Sequence, residues 1–429
     1  RQKDPAKVAA KPGRGLYPAL MLLGIVKGRT PHARQRMVKA AALLGSFEEA
    51  AEILADSCIN VSVNALREVC GHVGHRLAQL TSSGSVAVEG HVGDRRIVVS
   101  LDGGRVRLRE PRKGRTKKGR KRFSARWREP RLFIIYAVDE NGRMAGDFPP
   151  IIDGTLASCD RLFEMLQAFL VSLGITAATR ILFVADGAAW IWRRIPKLIK
   201  ALGLKAEPVL ELIDFWRAVE YLGKIAESVN LTGSKRKHWL TTQKKRLIRG
   251  EIGADVEEIK ACLPQRRKRD QRTWLNSFCT HGLKHRRMDY AAARSSQLPI
   301  GSGAVESAIR RVINLRVKSN ATYWLRENAE AMIRCEPGSR RAEPKVFSSK
   351  QLTHRSRWHY ETDKTGIRPS LAIEVIQACR TVKAAAKLLR LSWSSVHTII
   401  ARAVERGLDR RDARAINHLG IDEKSFGKG

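Results

Sequence analysis

Long apolar runs are missing from the sequence. The best short run, "LYPALMLLGIV", falls well below the roughly 20 residues that a helix needs to cross a bilayer. No signal peptide is recognised before this run. We therefore expect neither a membrane-spanning segment nor a signal peptide, and no membrane partner.

Cysteine is sparse, with 7 residues scattered along a chain of 429. An odd, scattered set argues against a disulfide framework and favours a reducing, cytoplasmic location. The segments "CTHGLKH" and "CGHVGH" superficially resemble metal ligands. Neither has a second Cys pair at zinc-ribbon spacing, so we do not expect a zinc site.

Acidic residues are also few. The chain has 80 Lys+Arg against 42 Asp+Glu, a formal net charge of +38. Such a chain is expected to bind polyanions. Nucleic acid is the first candidate, since each neutralised phosphate releases counterions. An anionic membrane is the rival, and the lack of a long apolar run disfavours it. The length is sufficient for two or three domains with hydrophobic cores.

The N-terminal region begins with a basic, flexible lead-in over residues 1–34. Residues 35–92 then show helical periodicity. Ser46 and Glu49 have capping-box spacing before one helix, and Ser62 precedes the next. A helix-turn-helix that binds DNA and an ordinary helical hairpin fit this pattern about equally well.

The period changes to that of strands over residues 93–215. Strand patterns occur in "RRIVVSLDGGRVRLRE", "RLFIIYAVDENGR", "DFPPIIDGT", "TRILFVADGAAW" and "EPVLELID". Helical patterns occur in "CDRLFEMLQAFLVSLGI" and "AAWIWRRIPKLIKALG". The resulting order, β-β-β-α-β-α-β, predicts an α/β fold with helices packed on a mixed sheet.

The rest of the chain divides into four segments by its texture. Residues 216–297 are helical and basic and are expected to form an inserted domain. Residues 298–334 are predicted to return to the sheet in a helix, and residues 335–369 are interpreted as a linker. Residues 370–429 contain a second helical unit that fits a helix-turn-helix, with Ser392 as a cap.

Three carboxylates stand out against this basic background. Asp102 and Asp186 each follow an apolar strand, and ligands of open α/β sheets bind beyond the carboxyl ends of the strands. Glu306 lies in "GSGAVESAIRRVINLRVKSN", at the edge of an apolar helical stripe with Arg310 one turn later. Three acids at one edge would suit Mg²⁺, which prefers oxygen ligands. Taken singly, turn chemistry explains each Asp and the helix dipole explains the Glu.

The order of strand-Asp, buried strand-Asp, basic helical segment and "PIGSGAVES" block resembles the DDE transposases of bacterial insertion sequences. The similarity is greatest to the Kra-type family and covers roughly residues 35–334. It implies a ribonuclease-H-like core interrupted by a helical insertion, with Asp102, Asp186 and Glu306 as catalytic residues and metal ligands. It further implies DNA strand cleavage and transfer at element ends with two Mg²⁺ or Mn²⁺ ions, and an oligomer assembled on DNA in the bacterial nucleoid.

The sequence departs from that family at two places, and its tail resembles a second family. In "LIDFWRAVEYL", Asp214 matches an auxiliary Asp, but Arg217 stands where histidine is usual. The pattern breaks after Arg334. The tail, ending "HLGIDEKSFGKG", resembles the front of an L-three-type transposase, whose first catalytic aspartate would be Asp422. These departures suggest a hybrid of two elements, in which Asp422 lacks partners.

A basic run between the first two predicted strands, "RVRLREPRKGRTKKGRKRFSARWREPR", is interpreted as a loop that follows the DNA backbone. For Phe123 and Trp127, packing beneath this loop is favoured over stacking on an unpaired base. The predicted DNA contacts, here and around Glu306, are Arg115, Lys117, Lys118, Arg120, Lys121, Arg122, Arg310, Arg311, Arg316 and Lys318.

Three functions remain to be compared. The first is a DDE transposase that acts on double-stranded DNA, both the terminal repeats of the element and the target. The second is a decayed hybrid that binds specific DNA but does not cut it. The third, a basic RNA-binding protein, leaves the acids unexplained and lacks the aromatic motif of the common RNA-recognition fold.

Overall fold

The structure is a computed structural model. It describes residues 25, 27–84, 88, 90–117, 119, 121–262, 269–318, 322–335, 375, 376, 379 and 381–409. Residues 336–369 of the predicted linker, most of the lead-in, Lys118, Arg120 and Asp422 lie outside these residues. The chain divides into two units, residues 1–354 and residues 355–429, which are described separately.

The described part of the first unit begins with three helices: α1 (Pro31–Leu43), α2 (Phe47–Asp56) and α3 (Val63–Ser82). The predicted capping box is confirmed. The Glu49 amide donates to Ser46 Oγ at 3.0 Å, and the Ser46 amide donates to Glu49 Oε2 at 3.2 Å. Ser62 caps α3 as predicted, accepting from the Ala65 amide. These side chains satisfy backbone donors that a helix start leaves unpaired.

The strands of the first unit are β1 (Arg96–Gly103), β2 (Val106–Arg115), β3 (Lys121–Arg128), β4 (Arg131–Val138), β5 (Ile151–Thr155), β6 (Arg180–Ala185) and β7 (Val209–Ile213). Five of them form a mixed sheet in the order β5-β4-β1-β6-β7. β1 is antiparallel to β4 and parallel to β6, β4 is antiparallel to β5, and β6 is parallel to β7. The predicted mixed α/β fold is confirmed.

The central strands are buried along almost their whole length, as near-continuous apolar runs require when both faces are covered. The helices between the last strands are α4 (Cys159–Ser172), α5 (Ala189–Trp192) and α6 (Ile195–Ala201), with a short 3₁₀ turn at Ile175–Ala177. Phe169 of α4 packs edge-on against Phe133 of β4. The segment predicted as one helix over α5 and α6 is two short helices.

The basic run after β1 is a two-stranded β-hairpin, formed by β2 and β3, and the loop prediction is wrong. The predicted first strand is correspondingly two strands that belong to different sheets. Chain reversal at the tip uses Gly114 and Gly119, both at positive φ (92° and 70°) that only glycine adopts readily. At the base, the Gly104 amide donates to the Pro130 carbonyl at 2.8 Å.

After β7 the chain is helical, as predicted. The helices are α7 (Phe215–Ser228), α8 (Gly233–Arg249), α9 (Ile252–Cys262), α10 (Arg269–Cys279) and α11 (Tyr290–Ser295), with a π-helical turn at Thr280–Lys284. Within the residues described, no helix is both long and apolar enough to span a membrane.

The segment predicted as one closing helix is interrupted. It contains α12 (Gly303–Ile309), a π-helical turn at Arg310–Asn314, and α13 (Arg326–Arg334). Between them, Trp324 forms a bridge to Leu108 of β2. α13 packs so closely on α3 that a Cβ added to Gly74 would lie 2.5 Å from the Ala331 Cα. This contact joins the end of the segment to the N-terminal helices.

The second unit contains α14 (Val382–Leu389) and α15 (Trp393–Asp409). Arg390, at φ 56°, ends α14, and Ser392 accepts from the Ser395 amide at 3.0 Å, so the predicted cap is confirmed. Residues 375 and 376 are also helical. A helix-turn-helix function for this unit stays a prediction.

Candidate active site

Asp102 and Asp186 lie beside each other at the carboxyl ends of two neighbouring central strands. β1 and β6 are parallel neighbours, and Leu101 is in register with Ala185. The two aspartates are the next residues of their strands, and both are partly buried. The placement follows from the sequence, because the carboxyl ends of parallel strands share an edge.

The pKa of Asp102 is raised to about 6. Burial is the largest cause, because it penalises the charged carboxylate, and the negative charges of Asp186 and Glu306 add to it. The amide of Gly103, which donates to Asp102 Oδ1 at 2.6 Å, and the charge of Arg217 oppose the rise. The three predicted acids therefore interact electrostatically at Asp102, with too little positive charge nearby to offset their repulsion.

Asp186 is held by two donors. The Ala188 amide donates to its Oδ1 at 2.9 Å, and Arg217 Nη2 donates to its Oδ2 at 3.3 Å. Arg217 also pairs with Glu220 on its own helix. The turn after Asp186 has no space for a side chain, since a Cβ at Gly187 would lie 2.0 Å from the Tyr221 hydroxyl. Arg217, which replaces an expected histidine, is thus directly bound to a proposed catalytic acid.

Asp214 connects helix α7 to the segment that carries Glu306. Its Oδ1 accepts from the Arg217 amide at 2.9 Å and caps α7. Its Oδ2 accepts from the Ser302 amide at 2.7 Å and from Ser302 Oγ at 3.0 Å. Ser302 Oγ lies 3.3 Å from Glu306 Oε1. Buried Asp214 therefore fixes the turn from which Glu306 projects, while touching no other predicted acid.

Glu306 lies in the first turn of α12, which packs across β1 and β4. The predicted apolar stripe is buried at Val305, Ala308, Ile309, Val312 and Ile313, while Leu315 is partly buried. Glu306 and Arg310 are exposed at its border, as predicted. The π-helical turn that follows widens the helix here, a distortion frequent at functional sites.

The donor set suits a hard cation, since it consists of carboxylates whose mutual repulsion a cation would relieve. The three carboxylates do not, however, form a cluster around one point. Among the residues that the structure describes, no three His, Cys, Asp or Glu side chains are grouped closely enough to hold a metal ion. Each acid has a local partner instead: Gly103 for Asp102, Arg217 for Asp186 and Ser302 for Glu306.

The predicted DNA contacts fall into two groups. Arg115, Lys117, Lys121 and Arg122 are exposed near the hairpin tip, and Arg310 and Lys318 are exposed after Glu306. Arg311 is partly buried, and Lys118 and Arg120 lie outside the described residues.

Arg316 is a correction to the predicted contacts. It is only 5% exposed, donates to the carbonyls of Ala41 (2.6 Å) and Gly45 (3.2 Å), and stacks on Phe47 and Trp324. It ties the N-terminal helices to the core and is not positioned to bind phosphate.

Two residues of the site were not predicted. Ser302 links Asp214 to Glu306, and Tyr221 packs over the turn after Asp186. Ser302 lies inside the quoted "GSG", so its position carried a signal that was interpreted only as a flexible turn. Tyr221 has no local signal, since it belongs to a helix that follows another strand.

Comparison with known proteins adds no relative: the chain matches no protein-family model, and no curated protein shows significant similarity to it.

Proposed function

We propose that this chain is a DNA strand-cleaving and strand-transferring enzyme of the DDE transposase type, with Asp102, Asp186 and Glu306 as its catalytic acids. The observation that carries the proposal is the in-register position of Asp102 and Asp186 at the ends of parallel β1 and β6, with the charge of Glu306 reaching Asp102. Three interacting carboxylates in a chain of net charge +38 form an unusual constellation.

The sheet supports the same proposal. An order of β5-β4-β1-β6-β7, with one antiparallel strand beside β1 and parallel strands on its other side, is the arrangement expected of a ribonuclease-H-like core. The helical segment α7–α11 interrupts the chain between β7 and the helix that carries Glu306. This is the order that the family resemblance implies.

Asp102, Asp186 and Glu306 would hold Mg²⁺ or Mn²⁺, which in phosphodiester chemistry activates a hydroxyl nucleophile and stabilises the leaving oxygen. The residues around the acids orient them. Asp214 and Ser302 set the direction of Glu306, and Arg217 sets that of Asp186. Arg310, exposed one turn after Glu306, is placed to hold a DNA phosphate next to the acids.

The test is a nicking and strand-transfer assay on a supercoiled plasmid that carries the DNA flanking the coding sequence on both sides. We expect products that require Mg²⁺ or Mn²⁺, and a rate loss of at least roughly 100-fold for Glu306→Gln. Mn²⁺ binding without DNA, followed by electron paramagnetic resonance, should weaken in the same variant. Full cleavage by Glu306→Gln would contradict the assignment of the acids.

A second function, specific DNA binding without cleavage, is favoured by two observations. Arg217 binds Asp186, and the described acids are not gathered into a metal-holding group. On this alternative the chain shifts flanking DNA in a binding assay but yields no nicked product. Arg217→His distinguishes the two, because cleavage that arises only in this variant identifies a binding protein whose catalytic site has decayed.

A further inference from the structure

The β2–β3 hairpin has one face covered by alternating aromatic rings and cations. Residues at every second position point to the same side of a strand, so Arg107 and Arg109 share a face with Phe123 and Trp127 across the register. Tyr323, next to the bridging Trp324, completes the set. We call these five residues the aromatic face.

The rings and guanidinium groups of the aromatic face are stacked together. The Arg107 guanidinium lies 5.3 Å from the Trp127 ring and 4.9 Å from the Tyr323 ring. Arg109 lies 4.9 Å from the Phe123 ring, and the rings of Phe123 and Tyr323 are 5.8 Å apart. Cation–π contacts and backbone pairing hold these side chains in place before any ligand arrives.

Two of the rings remain open to solvent. Phe123 is 44% exposed and Trp127 is 52% exposed, so the packing predicted for them beneath a loop is wrong. They are four residues apart on one strand, which places them roughly 13 Å from each other. Exposed aromatic rings that form a patch mark interaction or ligand-binding surfaces.

The charge of this face identifies the class of partner. Its described residues include no acid, and Lys318 lies 6.0 Å from the Trp127 ring. The nearest acid on the hairpin, Glu110, is on the opposite face, where it pairs with Arg126 and Arg128. Flat rings surrounded by cations suit a ligand with flat rings and negative charge, which is a nucleic acid strand.

The bases of that strand must be unpaired. In a duplex each base is stacked between its neighbours and leaves no face for an external ring, whereas a single strand offers its bases to aromatic side chains. We propose that the aromatic face binds unpaired nucleotides of DNA, with bases stacked on Phe123 and Trp127 and phosphates held by Arg107, Arg109 and Lys318.

The aromatic face lies close to the proposed catalytic acids. Arg107 lies five residues after Asp102, so at most roughly 18 Å separates their Cα atoms. Strand separation beside the acids would expose a single strand to the aromatic face. The binding itself does not depend on the catalytic proposal, and is measured without a divalent cation.

The experiment measures binding of fluorescent DNA to the full chain in EDTA by anisotropy. The probes are a single strand, a duplex and a duplex with a single-stranded end, all of one sequence. The variants are Trp127→Ala, Phe123→Ala and Trp127→Phe. The matched control is Trp216→Ala, since Trp216 is also exposed (66%) and also lies under a cation, Lys244, but belongs to α7.

We expect Trp127→Ala and Phe123→Ala each to weaken binding of the single strand, and of the duplex with a single-stranded end, by roughly 10-fold. Binding of the plain duplex should change less than threefold. The loss should persist at 0.5 M salt, roughly as large as at 0.1 M, because stacking is not screened as phosphate contacts are. Trp127→Phe, which keeps a ring, should recover most of the affinity.

Several results would overturn the proposal: unchanged single-strand binding in both alanine variants, an equal loss with Trp216→Ala, or an equal loss on the plain duplex. Tighter binding of the matching RNA strand than of DNA would assign the face to RNA instead. Urea denaturation of each variant shows that it is folded. A 2-aminopurine base placed in the single-stranded end of the third probe reports stacking through its fluorescence, independently of affinity.

Discussion

The hairpin and the contact between the N-terminal helices and the core both stack arginine on aromatic rings, yet they use it in opposite ways. In the hairpin, Arg107 and Arg109 stack on partly exposed rings, and Arg109 is itself exposed. At the helix–core contact, Arg316 also stacks on two rings, but backbone carbonyls occupy its guanidinium. The guanidinium groups stack on rings in both regions, and at the helix–core contact backbone carbonyls also accept from the N–H groups of the arginine.

This comparison extends to the acids. Asp214 is buried with donors at both oxygens, whereas Asp102 is partly buried among other negative charges. A charged group with donors at both oxygens stabilises the fold, whereas one with a single donor among like charges costs stability and remains available for a ligand. The predictions below test this division, from the largest expected effect to the smallest.

Arg316→Ala should lower the free energy of unfolding by about 3 kcal/mol, because two carbonyls lose a buried donor and the rings of Phe47 and Trp324 lose a packing partner. Urea denaturation measures the change. The control is Arg310→Ala, exposed on the same segment, which should stay within about 0.5 kcal/mol of wild type. A stable Arg316→Ala variant with weakened DNA binding would reverse the assignment.

Asp214→Ala should cost about 2 kcal/mol, from the lost cap of α7 and the unpaired amide of Ser302. If the chain cleaves DNA, the rate should also fall on the order of 10- to 100-fold, with DNA affinity unchanged, because Glu306 loses its support. Asp289→Ala is the matched control, since Asp289 caps α11 through the Ala292 amide. Equal effects on cleavage in both variants would refute a positioning role.

Asp102→Asn should have the opposite sign and stabilise the chain in EDTA, by about 1 kcal/mol at pH 7.5 after allowance for solvent screening. The pKa of Asp102 is about 6 when folded against a usual 3.8, so folding favours the protonated form. Wild-type stability is therefore lost as pH rises from about 4 through 6, and the gain in the variant should vanish near pH 4.

Thermal unfolding of both proteins across this pH range measures the difference. Asp147 is the contrasting acid, because hydrogen bonding to Arg95 lowers its pKa. Asp147→Asn should therefore show the reverse pH dependence. A gain for Asp102→Asn that is independent of pH would show that the burial of charge is not its cause.

Arg109→Ala should have the smallest effect on stability, less than about 0.5 kcal/mol, because its side chain is exposed. Its effect should lie in binding: the slope of log affinity against log salt concentration should fall by about 1, as one phosphate contact is lost. Arg95→Ala removes the same charge at the opposite end of β1 and should leave the slope unchanged. Equal slopes in the two variants would point to net charge alone.

Local patterns explain what was predictable. The caps at Ser46, Ser62 and Ser392 depend on residues three positions away, and the strand-end aspartates depend on apolar runs directly before them. These features need no knowledge of the rest of the chain, and the structure contains each of them.

The features that the sequence did not predict depend on distant partners. The hairpin has arginine where a strand usually shows apolar alternation, because β2 and β3 pair with each other and bury few of their side chains. Arg316 donates to carbonyls more than 270 positions earlier, which no local pattern indicates. The contact of Ser302 with Asp214 spans 88 positions, and the mixed sheet brings its ends together.

The length of the hairpin can change without disturbing the rest of the fold. Its outer part pairs only within itself, up to the pair of Arg115 with Lys121, while its base is fixed by Gly104 and Trp324. Adding two residues to each strand would extend the tip by roughly 7 Å and keep every side chain on its present face. Descendants of this chain, natural or engineered, can therefore change how far the tip extends from the sheet without altering the register that positions Asp102.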